Sequence, residues 1–149
     1  LEAAPVAPQE VRAALVEISD AMAARLMDEK GRARGDYHWA DGRWRDYETA
    51  WHSGQMIEGL LAAHEATGDP RYLARARQAG DWWISLELTD GPFKGMINAA
   101  HGDRLGLLIN FTTVGNGTPG LFRLSRATGD RRYADVATRA IVWLARTMQ

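Results

Sequence analysis

The sequence predicts an all-α fold built from antiparallel helical hairpins, and an internal repeat is the main reason. When the sequence is shifted by 61 residues, TGDPRY at 67–72 falls on TGDRRY at 128–133 without a gap. Apolar residues on either side recur at helical spacing, and no segment shows a convincing strand pattern. Further pairs extend the repeat over two helices: Gly54 with Gly115, Gly59 with Gly120, Leu60 with Leu121, Ala66 with Ala127, Ala76 with Ala137, Ala79 with Ala140, and Trp82 with Trp143.

Each repeat predicts a helix, a tight turn and a second helix. Residues 55–66 carry apolar side chains at helical spacing, and Gly68 is suited to end that helix in the left-handed conformation. Asp69 is a favourable N-cap for the next helix, and Pro70 takes its first position, where no N–H is needed. The same turn is therefore predicted twice, at residues 68–69 and 129–130.

A leading helix over about residues 9–27 is predicted from five apolar residues on one face: Val11, Leu15, Ile18, Met22 and Leu26. In each repeat the first helix is rich in small residues and carries little charge, whereas the second carries Arg and Asp on its outer face. This difference predicts an inner and an outer layer. The connections over about residues 28–49 and 88–113 are long, and in an alternating array both emerge on one side. Because long ordered loops are usually functional, that side is the predicted functional face.

The composition argues against several classes of function and site. Eighteen Lys and Arg against nineteen Asp and Glu leave a net charge of -1, which gives no electrostatic reason to expect a nucleic acid or an anionic membrane as partner. The absence of Cys excludes disulfides and thiolate metal sites. No run approaches the roughly 20 apolar residues that span a bilayer. The short Pro-containing start at residues 1–8 favours a mature secreted or periplasmic chain over an interdomain linker or the edge of a longer chain.

The pattern G-x(4)-G-L-L-x-A-x(3)-T-G-D-x-R-Y-L-x-x-A at residues 54–76, followed by a Trp-containing helix, resembles the hairpins of α/α-toroid carbohydrate-active enzymes. These include unsaturated glucuronyl hydrolases, N-acylglucosamine 2-epimerases and polysaccharide lyases. The resemblance covers about residues 48–149 and implies a saccharide substrate; no cofactor is expected. It also implies that residues 1–149 form one domain, an incomplete toroid of about two and a half hairpins. Such a domain should expose an apolar edge and associate with further chain segments or with copies of itself.

The first long loop mixes aromatic, cationic and acidic residues without the periodicity of a core segment. Sugar sites use this mixture, because aromatic faces cover C–H surfaces while charged groups bind hydroxyls. Trp39, Asp41, Arg43 and Trp44 are therefore predicted to bind substrate. The alternative is that the two Trp side chains anchor a long loop to the body of the domain.

The start of the first inner helix carries Trp51, His52 and Gln55. In the toroid families the ends of the inner helices line the cleft, so the resemblance implies that His52 and Gln55 project into it. His52 is the first candidate for proton transfer, with Tyr47 and Glu48 just upstream. A hydrogen-bonded structural histidine is the alternative, and it is the preferred interpretation for His64.

The second long loop offers His101 and Asp103, which are either an acid/base pair or part of a polar turn. Asn116 is predicted to begin the second inner helix, whose free N–H groups would suit the carboxylate of an acidic sugar. A metal site is disfavoured, because no HExxH-like spacing joins the candidate ligands. Those ligands would be His38, His52 and His101 with Asp41 or Asp103.

The predicted face leaves the reaction open. Glycoside hydrolysis needs two carboxyl groups, for which the candidates are Asp41, Asp46, Glu48 and Asp103. Elimination or epimerisation of a uronic acid needs an acid, a base and a cation, for which the candidates are His52, Tyr47, Glu48, Arg43 and His101. The competing hypothesis is a non-enzymatic helical-repeat module that binds a glycan or a protein.

Overall fold

The computed structural model describes residues 7–45, 49–99 and 106–147, and it confirms the all-α prediction. Five α-helices are joined by short and long connections, and the described strands form one two-stranded antiparallel hairpin. The elements are α1 (Pro8–Ala21), a π-helical turn (Met22–Leu26), β1 (Asp36–His38), β2 (Arg43–Arg45), α2 (Thr49–Thr67), α3 (Pro70–Ile84), α4 (Phe111–Thr128) and α5 (Arg131–Thr147).

The helices lie in two layers, as the two compositions predicted. The helices rich in small residues, α2 and α4, pack against each other, and each also packs against its hairpin partner, α3 or α5. Helices α1, α3 and α5 follow one another in the second layer. A tyrosine links each neighbouring pair in that layer, since the Tyr72 hydroxyl donates to Asp20 Oδ1 and the Tyr133 hydroxyl donates to Asp81 Oδ1, both at 2.9 Å.

These two tyrosine bonds extend the repeat beyond what the sequence comparison found. Asp20 precedes Asp81 by 61 residues, the same interval that separates Tyr72 from Tyr133. The hydrogen bond that joins α1 to α3 is therefore equivalent, in the repeat, to the one that joins α3 to α5. The leading helix is the outer helix of a third, partial copy of the repeat.

Both turns have the predicted geometry. Gly68 and Gly129 each adopt φ 74°, the left-handed conformation that glycine allows at low cost. Their N–H groups donate to His64 O at 2.8 Å and Ser125 O at 2.9 Å. The Asp69 side chain then caps α3 by accepting the Arg71 N–H at 2.9 Å. Each hairpin is thus closed by the same local chemistry.

The two inner helices cross at glycines, and this brings their backbones into contact. A Cβ built on Gly54 would fall on the Cα of Gly117, and one built on Gly120 would meet the carbonyl oxygen of Gly54 at 2.5 Å. The buried Trp83 side chain closes the junction, because its ring lies against Gly117 and its indole N–H donates to Ala50 O at 3.0 Å. The crossing therefore fixes the start of α2 against α3 and α4.

The leading helix differs from its prediction over about residues 9–27 in two respects. The α-helical part ends at Ala21, and the chain continues as a π-helical turn before Met27 pairs with Ala33 in an isolated bridge. Val11 and Ile18, which were predicted to face the core, are 56% and 59% exposed. They stay exposed because α1 packs on α2 through a neighbouring stripe of side chains, with Ser19 buried and Leu15 and Met22 against the core.

Two features of the long loops were not predicted. The first loop contains the β1–β2 hairpin, in which Asp36 pairs with Arg45 and Tyr37 with Trp44. In the second loop, Met96 and Ile97 are fully buried, and the loop is held by backbone bonds such as Leu88 N–H to Met96 O at 2.7 Å. Within the described ranges, no helix combines the length and apolarity needed to cross a bilayer.

Candidate functional site

A groove of about 570 Å³ lies between the β1–β2 hairpin and the first turns of α2. One wall is formed by the hairpin and the segment before it, and the other by α2 together with the π-helical turn. It is lined by Met22, Leu26, Ala33, Arg34, Gly35, Asp36, Tyr37, Trp39, Trp44, His52, Gln55 and Met56. The groove thus combines an apolar floor with aromatic, charged and amide groups, the usual composition of a small-molecule site.

The turn of the β1–β2 hairpin is organised by Asp41. Its carboxylate accepts the Arg43 N–H at 3.2 Å and lies 2.7 Å from Arg45 Nη2. The same carboxylate lies 2.9 Å from His38 Nδ1. These contacts engage Asp41 in shaping the turn, and neither Asp41 nor Arg43 lines the groove.

Three aromatic side chains of the hairpin form one cluster at the groove. The Tyr37 ring meets Trp39 and Trp44 edge to face, with centroids 5.1 Å apart in both pairs. Trp39 is 87% exposed, whereas Trp44 is half-buried. An indole so exposed does little for the packing of this chain, so the anchoring alternative fits Trp44 better than Trp39.

The start of α2 is held rigidly, which fixes the side chains on its first turns. The Ser53 hydroxyl accepts the Ala33 N–H at 2.8 Å and joins α2 to the segment before the hairpin. The Trp83 bond to Ala50 O holds the same helix end from the other side. His52, half-buried, and Gln55, exposed, therefore line the groove from a fixed backbone.

Trp51 lies behind His52 and supports it. The two rings stack with centroids 5.3 Å apart and planes at 21°, although Trp51 itself does not line the groove. Its buried indole N–H has no hydrogen-bond partner in the described part of the chain. Trp51 is thus placed to orient the histidine, and its contact with a substrate stays a prediction.

The segment before the hairpin is anchored by a turn at Asp28. Burial raises the pKa of this carboxyl, but hydrogen bonds from the Arg32 side chain and backbone, with the charge of Arg32, outweigh burial and hold the pKa below its usual value. Arg32 Nε lies 2.6 Å from Asp28 Oδ2. The ionised pair fixes the path of the chain into the groove wall.

Of the remaining predicted residues, only Asn116 lies in the described part of the chain, and it does not line this groove. Asn116 is exposed on the second turn of α4, because the helix begins at Phe111 and not at Asn116 as predicted. The Asn110 side chain caps α4 by accepting the Thr112 N–H at 2.8 Å, so one N–H that was assigned to a sugar carboxylate is already occupied. Tyr47, Glu48, His101 and Asp103, together with Asp46, lie outside the described residues.

The sequence interpretation missed several residues that line the groove. Arg34, Asp36 and Tyr37 immediately precede the predicted Trp39 and belong to the same polar and aromatic run, so that run was a usable signal. Met22 and Leu26 gave no such signal, since helical spacing assigns them to the core. His64, predicted to be structural, lies at the far end of α2 with its Nδ1 2.9 Å from Asp69 O.

The described side chains contain no group of three or more His, Asp or Glu arranged to hold a metal ion. His38 and Asp41 are close, but both belong to the hairpin turn, and His52 lines the groove on the other wall. The described lining of the groove holds acid/base and hydrogen-bonding groups next to an aromatic surface.

Comparison with known proteins assigns the family. The profile of the β-L-arabinofuranosidase GH127 catalytic domain matches residues 22–148, which is most of the chain and includes both hairpins and the groove. Searches of curated proteins and of solved structures gave no significant match. The matching family differs from those named by resemblance, although it shares with them the processing of carbohydrates. The chain belongs to the GH127 β-L-arabinofuranosidase catalytic-domain family of glycoside hydrolases.

Proposed function

We propose that this chain takes part in hydrolysis of a glycosidic bond, with the sugar bound in the groove between the β1–β2 hairpin and α2. The observation that carries the proposal is the convergence of four residues predicted independently from two sequence segments. Trp39 and Trp44 from the hairpin and His52 and Gln55 from α2 line the same groove. The family match supports hydrolysis over elimination or epimerisation, and β-L-arabinofuranosides are the first substrate class to test.

The aromatic cluster supplies the surface on which a sugar ring would lie. Indole faces cover the apolar C–H surface of a sugar, while the neighbouring polar groups bind its hydroxyls. Trp39, with most of its surface exposed, has such a face available, and Tyr37 holds the ring in place through its edge-to-face contact. Arg34 and Gln55 on the two sides of the groove provide hydrogen-bond donors for the hydroxyls.

His52 is the proposed proton-transfer group of the groove. It is the one imidazole among the groove-lining residues that the structure describes, and its stacking on Trp51 holds its orientation. A general acid or base must lie within hydrogen-bond reach of the proton it transfers. The rigid start of α2 would hold His52 at a constant position relative to a bound sugar. Within the described part of the groove lining, Asp36 is the one carboxylate.

Hydrolysis of a glycoside also calls for a second carboxyl group, about 5 to 9.5 Å from the first in the usual mechanisms. Glu48 is the proposed source, because it immediately precedes α2 in the sequence, four residues before His52. Tyr47 beside it and the His101–Asp103 pair of the second long loop remain further candidates for the same reaction.

Replacing His52 in the full-length protein tests the proposal. His52→Ala should lower turnover of an aryl β-L-arabinofuranoside by roughly 10²-fold or more, the usual loss when a general acid or base is removed. The melting temperature should hardly change, because the helix is held by Ser53 and Trp83. His38→Ala is the matched control, since that imidazole lies in the hairpin turn and not among the groove-lining residues.

Product analysis separates the alternatives. The panel would contain arabinofuranosides, neutral oligosaccharides and uronic-acid oligosaccharides. Hydrolysis of the arabinofuranosides should release a free reducing sugar. Unsaturated products from the acidic sugars would indicate elimination instead. Saturable binding with no turnover of any substrate would favour the non-enzymatic module. Unchanged activity of the His52→Ala variant, or a loss that follows unfolding, would return His52 to a structural role.

A further inference from the structure

A cleft of about 850 Å³ lies between the C-terminal half of α5 and the chain segment with which the second long loop begins. Its volume falls within the roughly 300–1,000 Å³ that is usual for small-molecule sites. The loop wall is drawn from residues 87–95 and the helix wall from residues 138–147. The cleft shares no lining residue with the proposed sugar groove, so it is a separate feature of the molecule.

The positions that form the helix wall stay accessible in a hairpin that has neighbours. The repeat gives each of them a counterpart 61 residues earlier in α3, which α4 and α5 contact. These counterparts are exposed or half-buried, and none is buried: Arg77, Gln78, Asp81, Trp82, Ser85 and Leu86. The cleft is thus not the surface that a following helix covers in the first hairpin.

In the first hairpin the corresponding loop lies directly on the helix. Gly31, with φ 91°, lies against the backbone carbonyl of Gln78, and the Gln78 side chain donates to Glu29 O. The counterpart of Gln78 in α5 is Arg139. Gly95 faces it with more room, because a Cβ built on Gly95 would lie 3.6 Å from Arg139 Cβ. The cleft therefore belongs to the second hairpin alone, and the repeat does not require it.

The loop wall is held in place without a ligand. The Leu88 N–H donates to Met96 O at 2.7 Å, and the Gly95 N–H donates to Leu88 O at 2.8 Å. Glu87 Oε1 and Oε2 accept hydrogen bonds from Nε and Nη2 of Arg139 at 2.5 and 2.8 Å, which join the loop to α5. Because the walls are already ordered, a ligand would lose little free energy in shaping them.

The described lining of the cleft carries more positive than negative charge. It contains three cationic side chains, Lys94, Arg139 and Arg146, and one carboxylate, Glu87. Glu87 is paired with Arg139. The side chains of Lys94 and Arg146 make no hydrogen bond or ion pair with the residues that the structure describes. One unpaired cation on each wall gives the cleft the charge that an anionic ligand needs.

Trp143 supplies an apolar surface beside these cations. Its ring is half-buried, and Phe93 packs against it with centroids 5.8 Å apart. Trp143 precedes Arg146 by three residues, so the two side chains share one face of α5. The hydroxyls of Thr89 and Thr138 belong to the same lining. An aromatic face next to hydroxyls and cations suits a sugar ring that carries a carboxylate.

We propose that this cleft binds a carboxylate-bearing saccharide, such as a short run of uronic-acid units. The carboxylate pairs with Arg146 and Lys94 from the two walls, and the sugar ring lies on Trp143. The threonine hydroxyls of the lining exchange hydrogen bonds with the sugar hydroxyls. The proposal goes beyond glycoside hydrolysis in the first groove and does not depend on it.

Calorimetric titration of the full-length protein with trigalacturonate tests the proposal, and galactotriose of the same linkage is the neutral probe. Trigalacturonate should bind about tenfold or more tightly than galactotriose, and its affinity should fall as salt is added. Arg146→Gln and Lys94→Gln should each weaken binding by roughly tenfold or more, as expected when a charge-assisted hydrogen bond is lost. Arg146→Lys should retain part of the affinity, because the positive charge remains.

Two further variants serve as controls. Arg131→Gln removes a cation from the same helix, where the side chain is 88% exposed and does not line the cleft, so affinity should not change. His52→Ala alters the first groove and should also leave the affinity for trigalacturonate unchanged. Turnover of an arabinofuranoside therefore tests the proposed hydrolysis, and binding of trigalacturonate tests this cleft.

Several results would overturn the proposal. One is that trigalacturonate fails to bind at millimolar concentration, and another is that galactotriose binds equally well. Loss of binding in His52→Ala would assign the ligand to the first groove. If Arg146→Gln lowers the melting temperature and leaves the affinity unchanged, Arg146 only stabilises the end of α5. Binding of benzoate but not of trigalacturonate would show that the cleft takes an aromatic acid and not a sugar.

Discussion

The two hairpins of this chain have the same internal chemistry and different surroundings. In α2–α3 and in α4–α5 alike, a left-handed glycine ends the first helix and an aspartate binds the backbone of the second. The first hairpin is covered by its neighbours, whereas the second leaves Phe111 and Ile141 exposed. Local sequence therefore makes a hairpin, and position in the array decides which of its faces is buried.

Gly54 and Gly115 show this difference at a single pair of equivalent positions. A side chain at Gly54 has no room, because the Gly117 backbone already occupies the place of its Cβ. At Gly115 the nearest atoms are those of the Phe111 ring, at 3.9 Å, which is ordinary van der Waals contact. Glycine is thus needed for close packing at position 54 in α2, whereas position 115 in α4 has room for a larger residue.

The largest expected effect follows from that pair. Gly54→Ala should destabilise the chain by about 1–3 kcal/mol, the usual cost of overpacking, because two helix backbones would have to separate. Gly115→Ala should be neutral or stabilise by up to about 1 kcal/mol, because alanine favours a helix more than glycine does. The free energy of unfolding of each variant, measured in urea, checks the comparison. Equal destabilisation by both substitutions would contradict the difference in surroundings.

A smaller loss of stability is expected from removing the tyrosine hydroxyls that join the outer helices, and it should be similar for the two hairpins. Burial, followed by the hydrogen bond to the neighbouring aspartate, raises the pKa of both Tyr72 and Tyr133. Tyr72→Phe and Tyr133→Phe each remove one hydroxyl bond between outer helices, and each should cost about 0.5–1.5 kcal/mol. Urea unfolding of the two variants should therefore give similar losses.

A marked difference between the two variants in the loss of unfolding free energy would show that the two tyrosine hydrogen bonds do not stabilise the outer layer equally. Asp20→Ala and Asp81→Ala provide the complementary measurement, because each removes the acceptor and leaves the tyrosine in place. If the loss from a Tyr→Phe variant does not persist in the background of the matching Asp→Ala variant, the hydrogen bond is its cause.

The smallest effect concerns pH and the two turns. Hydrogen bonds from the Arg71 side chain and backbone hold the pKa of Asp69 below its ordinary value of 3.8, and Arg132 does the same for Asp130. A carboxyl whose pKa is lower in the folded state stabilises the protein above its ordinary pKa. That contribution is lost as the pH falls through the lowered folded-state pKa, so the melting temperature should fall in acid below about pH 4.

Asparagine at both positions isolates this contribution. Asn also caps helices well, so Asp69→Asn with Asp130→Asn keeps the cap while it removes the titrating group. The melting temperature of the double variant should depend less on pH in acid than that of the parent. An unchanged acid dependence would assign the acid sensitivity to other carboxyls, such as Asp28 with its own lowered pKa.

Parts of the candidate site were predictable because their chemistry is local. Trp39, Trp44, His52 and Gln55 were identified from residue type and from their place before or at the start of an inner helix, and these four line one groove. Asp41 and Trp51 were assigned to the substrate for the same reasons, yet one shapes a turn and the other stacks behind the histidine. Residue type is enough to identify candidate residues. The course of the loop in the folded chain decides which of them line the groove and which contact their neighbours instead.

What the sequence by itself determined were the helical hairpins, which helix caps, tight turns and helical periodicity specify. The turn signals at Gly68–Asp69 and Gly129–Asp130 and the helical spacing of apolar residues fixed the hairpins and their all-α class, because caps and periodicity act within a few residues. The β1–β2 hairpin is also local, with Asp41 and Gly42 in its turn, and the sequence interpretation missed it. The tertiary structure alone decided the burial of Met96 and Ile97 and the exposure of Val11 and Ile18. Those features depend on which helix lies next to which, and contacts between residues far apart in the chain carry no signature within any single segment.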